Sequence, residues 1–199
     1  MKNGLFALVL ALAMPVLAQS PAQHNDKASA QGQDAIAALP VHKTTGAPAS
    51  DEDRISREVR HELVMQPYYT IWDWLAFRVN GSTVELLGDV YSNGLKSDAV
   101  SSVKHIEGVD KVVDHINLLP PSPMDDRIRK EVARAIFSFG GLSRYSYSAV
   151  PSIHIIVNSG RVTLEGVVDS EEDKNAAFLR ANGVGGVFQV TNNLRVVKG

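Results

Sequence analysis

His24, His42, His61, His105, His115 and His154 are the side chains of this 199-residue chain best suited to bind a metal or move a proton near neutral pH. Their spacing supports neither chemistry. No two stand as His-x-x-x-His, and no His-Glu-x-x-His occurs. The chain has no cysteine, which excludes disulfides, thiolate metal sites and a lipidated N-terminal Cys. Acidic runs at Asp51-Glu52-Asp53 and from Asp169 to Asp173 lack the ligand spacing and distal bidentate Glu of a calcium loop. Helix starts favour such charges through the backbone dipole, which accounts for both runs. There is no Gly-x-Ser-x-Gly elbow, phosphate loop or dinucleotide fingerprint, and Gly140-Gly141 is a loop signal only. His154 stands between Ile153 and Ile155, so it is expected to point off the core face of a strand as a surface histidine. The residues therefore predict a non-enzymatic protein with no catalytic residue, no metal site, no cofactor and no small-molecule substrate. A net charge of −2 gives no case for a nucleic-acid partner.

Two other groupings carry a chemistry of surfaces. Arg127, Lys130 and Arg134 recur at i, i+3 and i+7, a stripe on one side of a helix, away from Ile128, Val132 and Ile136. Such a stripe suits anionic lipid head groups, each cation near a charged membrane contributing about 1 kcal/mol; a solvated helix face is the plainer alternative. Aromatic residues cluster in two places, Tyr68, Tyr69, Trp72 and Trp74, then Phe137, Phe139, Tyr145 and Tyr147 with Leu142 and Arg144 between them. Tyr and Trp favour boundaries where one end is apolar and the other wet. The first cluster is better read as covering a sheet edge or closing a contact between domains. For the second the same covering role and a binding role stand level; it lies beside the basic stripe, so Arg127, Lys130, Arg134, Arg144, Tyr145 and Tyr147 are the candidate lipid-binding residues.

The elements that hold these groups repeat. Arg54-Ile55 and Glu58-Val59 match Arg127-Ile128 and Glu131-Val132 at an offset of 73. Val79-Asn80, Val84, Leu86, Gly88 and Val90 match Val157-Asn158, Val162, Leu164, Gly166 and Val168 at 78, as do Ser92, Lys96, Ala99, Gly108-Val109 and Val112 with Ser170, Lys174, Ala177, Gly186-Val187 and Val190. A fixed offset over so many positions marks an internal duplication. The second copy carries five extra residues somewhere in 137–152.

Each copy reads as αββαβ. Ile55, Val59 and Leu63, like Ile128, Val132 and Ile136, have helical spacing, with Asp51 and Asp125 as candidate caps. Leu75, Phe77 and Val79, and Ile153, Ile155 and Val157, alternate as a strand that turns at Asn80-Gly81 or Asn158-Ser159-Gly160. Gly88 and Gly166 predict a bend or a close backbone approach. A second helix starts at Ser92 or Ser170, the latter with Asp173 in a capping box, and Ala99 or Ala177 allows it to approach the sheet closely. A last strand alternates Val112, Asp114, Ile116 and Leu118, or Val190, Asn192, Leu194 and Val196. The fold class is α+β: two tandem units, 51–119 and 124–197, each a three-stranded mixed sheet with two helices on one face. Pro120-Pro121-Ser122-Pro123 is a stiff spacer. The sequence leaves open whether the units touch.

Residues 1–18 read as a secretory signal peptide. Lys2 precedes a short apolar core from Leu5 to Ala13, and Val16-Leu17-Ala18 predicts cleavage after Ala18. Residues 19–50, rich in Ala, Gln, Ser, Pro and Thr, predict a disordered tether.

The hairpins Val79 to Gly88 and Val157 to Gly166, the central Ala99 and Ala177, and the closing Gly186-Val-x-x-Val-x-Asn-x-Leu194 together resemble the BON domain, a family of small αββαβ modules of bacterial envelope proteins. Copy one departs from the pattern with Asp114 in place of the Asn. Signal peptide plus two such modules is similar to the osmotically induced periplasmic proteins of that family. The resemblance implies phospholipid or envelope binding and a stress response. Copy one carries seven basic and twelve acidic residues, a net −5; copy two, 124–199, carries ten and eight, a net +2. The expectation is a periplasmic or secreted protein that docks on anionic phospholipid mainly through copy two. The alternative is a protein-interaction or holdase module with envelope proteins as partners.

Overall fold

The computed structural model describes residues 34–35, 51–147 and 152–197. The expected signal peptide, all of the tether but two residues, and part of the insertion in copy two lie outside the described residues. Within the tether, Asp34–Ala35 (β1) forms a short antiparallel strand on the edge of the first sheet, with Asp34 opposite Phe77 and Ala35 opposite Ala76. The tether expectation is corrected there, and the first sheet gains a fourth strand.

The first unit runs α1 (Asp51–Val64), β2 (Trp74–Asn80), β3 (Thr83–Val90), α2 (Asn93–Lys104) and β4 (Lys111–Leu118). The second runs α3 (Pro123–Phe137), a 3₁₀ turn at Ser143–Ser146, β5 (Ile153–Asn158), β6 (Arg161–Val168), α4 (Glu171–Asn182), β7 (Gln189–Asn192) and β8 (Arg195–Val196). In each, the hairpin is antiparallel and the last strand lies parallel to the middle one, the geometry that a helical crossover permits. The αββαβ expectation holds in both.

Ile55, Val59 and Leu63 bury against Leu75, Phe77, Val84, Leu86, Ala99 and Val103; Ile128, Val132 and Ile136 bury against Ile153, Ile155, Val157, Leu164, Ala177 and Ala181. Each fully buried large aliphatic contributes about 1.5–3 kcal/mol, so each small unit depends on nearly all of its set. Gly88 and Gly166 are close approaches, as expected. A Cβ would lie 1.9 Å from the Trp74 carbonyl oxygen at Gly88 and 2.0 Å from that of Ser152 at Gly166.

Helix α3 begins earlier than the spacing suggested. Ser122 is its cap, accepting from the Asp125 amide at 3.2 Å, and Pro123 occupies the first turn, where its missing N–H costs nothing. Asp125 is therefore inside the helix rather than its cap. Ser170 caps α4 as expected, accepting from the Asp173 amide at 3.1 Å.

In copy two the last strand breaks between β7 and β8. The Asn192 amide donates to the Lys174 carbonyl at 2.9 Å, and its oxygen accepts from the Leu194 amide at 3.3 Å. Asp114 does the same work in copy one with a charge: it accepts from the Ile116 amide at 2.9 Å and pairs with Lys96 at 3.1 Å. This departure in the closing motif is thus matched by a change of partner.

Candidate functional site

Helix α3 presents two faces. Ile128, Val132 and Ile136 are buried, and Arg127, Lys130 and Arg134 are exposed along one side, as their spacing implied. Its first turn is fastened by Asp125, whose buried carboxylate accepts the amides of Ser159 at 2.9 Å and Gly160 at 2.8 Å in the β5–β6 turn. Copy one has the same device: the Glu52 carboxylate accepts the Gly81 amide. Arg129 leaves the stripe and turns inward, donating to the Val157 carbonyl at 2.6 Å, pairing with Asp126 and covering the Tyr91 ring at 4.9 Å.

The insertion commits two of the candidate residues to contacts of its own. Tyr145 is only 5% exposed in the second core. Its hydroxyl donates to Asp173 at 2.8 Å and accepts the Asp169 amide at 2.9 Å. Burial pushes its ionisation above the usual tyrosine range. Arg144 pairs with Asp169 at 3.2 Å and with Asp173. Both residues tie the 3₁₀ turn to the start of α4, so Tyr145 offers no ring for insertion. Tyr147 is 82% exposed.

A residue that pattern reading passed over is the most exposed large apolar side chain described. Phe188, 83% exposed, precedes β7. Its amide donates to the Gly160 carbonyl at 2.9 Å, and its ring lies directly over Gly160, where a Cβ would meet it at 2.5 Å. Arg127 reaches over the neighbouring Gly186, within 3.5 Å of where a Cβ would sit, and donates to the Met124 sulfur at 3.4 Å. Met124 is half exposed, and Arg161 is exposed beside the turn. One end of the second unit therefore carries Met124, Arg127, Arg161 and Phe188 together, continuous with Lys130 and Arg134. The signal was available in the repeat itself. At the same offsets the first unit has Asp51 in place of Met124 and Asp110 in place of Phe188.

The aromatic cluster of the first unit closes the contact between the units. Tyr69 and Trp74 each lie 5.2 Å from the His154 ring, centroid to centroid. The His154 Nδ1 is 3.2 Å from the Thr70 carbonyl, and the Ile155 amide donates to the Ile71 carbonyl at 2.7 Å. Trp72 packs on the second core, and Trp74, Leu119, Ile156 and Val167 form a separate apolar cluster. Tyr91 of the first unit donates to Asp126 at 3.2 Å. His154 is thus off the core face, as expected, but fully buried rather than on the surface: the partner unit covers it. Among the described residues no group of three or more His, Asp or Glu side chains could hold a metal ion, and no helix is long and apolar enough to cross a membrane.

A family model, the BON domain, matches residues 51–120 and 125–198. Two solved structures of CdsD, described as a structural protein of the type III secretion system of Chlamydia trachomatis, are similar at 12% identity and a TM-score of 0.29. One covers 71% of this chain and 96% of its own, the other 73% and 93%. No curated protein matches this chain.

Proposed function

The chain belongs to the BON domain family, and from that premise we propose that it is a non-enzymatic, periplasmic or secreted cell-envelope protein that docks reversibly on anionic phospholipid through its second unit. The observation that carries this reading is the end of that unit. Exposed Arg127 and Arg161 lie at the same end as exposed Phe188 and Met124, and exposed Lys130 and Arg134 follow along α3; the first unit has Asp51 and Asp110 where Met124 and Phe188 stand. Three or four cations at about 1 kcal/mol each, with an inserted ring worth about 1.5–3 kcal/mol on full burial, support reversible docking rather than permanent anchoring. Phe188 replaces Tyr145 as the inserting ring, with Tyr147 a second exposed aromatic.

The alternative of a protein-interaction or holdase module would use exposed strand edges. The β5 edge does not favour it, since Ile71 and Arg129 already bond the Ile155 amide and the Val157 carbonyl there. Co-sedimentation with phosphatidylglycerol vesicles and with neutral phosphatidylcholine vesicles, at low and high salt, tests the lipid reading. Binding to the anionic vesicles that weakens with salt supports it. Equal binding to neutral vesicles, or none to either, contradicts it.

A further inference from the structure

We propose that the contact between the two units is a pH-sensitive latch, closed in mild acid and opened by alkaline pH, with the carboxylates of Asp89 and Glu165 as its sensor. Along β3 the core-facing residues Val84, Leu86, Gly88 and Val90 leave Asp89 on the opposite, helix-free face; along β6 Val162, Leu164, Gly166 and Val168 leave Glu165 there. These two faces meet at Trp74, Leu119, Ile156 and Val167. Asp89 lies opposite Trp74 in one ladder, Glu165 lies opposite His154 in the other, and the Trp74 and His154 rings touch. The docked sheets thus bring one carboxylate from each unit to a largely apolar junction.

Each carboxylate is held by an amide donor. Asn117 donates to Asp89 at 3.4 Å, and Asn193 donates to Glu165 at 2.6 Å. Burial raises the Asp89 carboxyl above its ordinary range, opposed by Asn117. Burial raises Glu165 from 4.5 to about 7; the Asn193 bond opposes this, the Asp89 charge adds to it and Arg195 partly offsets it. From the first unit, Tyr69 faces the same place, its phenol raised by burial and by the charges of Asp73 and Glu165. Asp73 itself is occupied by Thr70 and the Tyr91 amide. His154, beside Glu165, has its Nδ1 at the Thr70 carbonyl.

A carboxyl raised in the docked state favours docking fully below its ordinary value of 4.5, and that contribution is lost as pH rises through about 7. Asp89 acts in the same direction. Above that range both carboxylates carry charge where burial penalises it, and separation returns both to water.

The chain supplies its own reporter. Its two tryptophans, Trp72 and Trp74, both lie at this contact. Tryptophan emission and small-angle scattering of the full chain are followed from about pH 5 to 9, with far-UV circular dichroism to confirm that the units stay folded. The expected result is a red shift and a larger radius of gyration that develop as pH rises toward and through about 7, with unchanged dichroism. Glu165→Gln removes the transition and raises the docked-to-open ratio at the alkaline end by about tenfold, a figure reduced from the full shift for solvent screening. Asp89→Asn moves the midpoint to higher pH, because the Asp89 charge no longer adds to the cost of ionising Glu165 in the docked state. A flat wild-type profile overturns the proposal. So does a transition that persists unchanged in Glu165→Gln, or one that survives there and disappears in His154→Gln.

Discussion

The Tyr145 hydroxyl donates to the Asp173 carboxylate at 2.8 Å while Asp173 also receives Arg144 and the Ser170 hydroxyl. One carboxylate at the start of α4 therefore fixes the insertion that distinguishes the second unit from the first. Tyr145→Phe keeps the buried ring but strips a donor from Asp173 and an acceptor from the Asp169 amide. The expected loss is about 1–2 kcal/mol in urea unfolding, with vesicle binding unchanged. A loss of vesicle binding at unchanged stability would return Tyr145 to the binding surface.

Asp125 joins α3 to the β5–β6 turn through two amide donors, and Phe188 rests on that turn. Asp125→Ala is expected to cost about 2–3 kcal/mol, since two charge-assisted bonds are lost and two amides are left without partners. Hydrogen exchange at Ser159 and Gly160 should rise first. Protection that stays unchanged at those amides contradicts the role given to Asp125.

Lys96 and Lys174 occupy equivalent positions with unequal work. Lys96 pairs with Asp114 and donates to the Ile116 carbonyl, whereas at Lys174 it is the backbone carbonyl that is used, by Asn192. Lys96→Met should cost about 1 kcal/mol or more in thermal unfolding, and Lys174→Met less than about 0.5 kcal/mol. Equal costs would show that the exchange of Asp for Asn is not what sets the partner.

Gly166→Ala should destabilise the second unit by roughly 3 kcal/mol or more, because the new methyl meets the Ser152 carbonyl at 2.0 Å and the backbone has φ +122. A shift in melting temperature of only a degree or two would refute the close approach.

Most of the frame is legible in the repeat alone. Helical spacing in Ile128, Val132 and Ile136 and alternation in Ile153, Ile155 and Val157 are local properties, and local periodicity survives folding. What escaped was decided by tertiary packing. His154 reads as solvent-facing on its own strand and is buried only because Tyr69 and Trp74 of the other unit close over it. Tyr145 belongs to an insertion without periodicity, so nothing in its neighbours revealed the buried aspartate it would meet. Phe188 lies between elements, where patterns say nothing of exposure; only its standing where the first copy has Asp110 marks it.

If lipid affinity belongs to the second unit, equivalent charge reversals in the first helices of the two units must differ in effect. Lys130 and Arg57 are equivalent positions, both exposed, on α3 and α1. Affinity for phosphatidylglycerol vesicles is measured for the full chain, Lys130→Glu and Arg57→Glu. Lys130→Glu is expected to lose about tenfold or more in affinity, with Arg57→Glu close to the unaltered chain. Equal losses for the two, or a loss confined to Arg57→Glu, would contradict it.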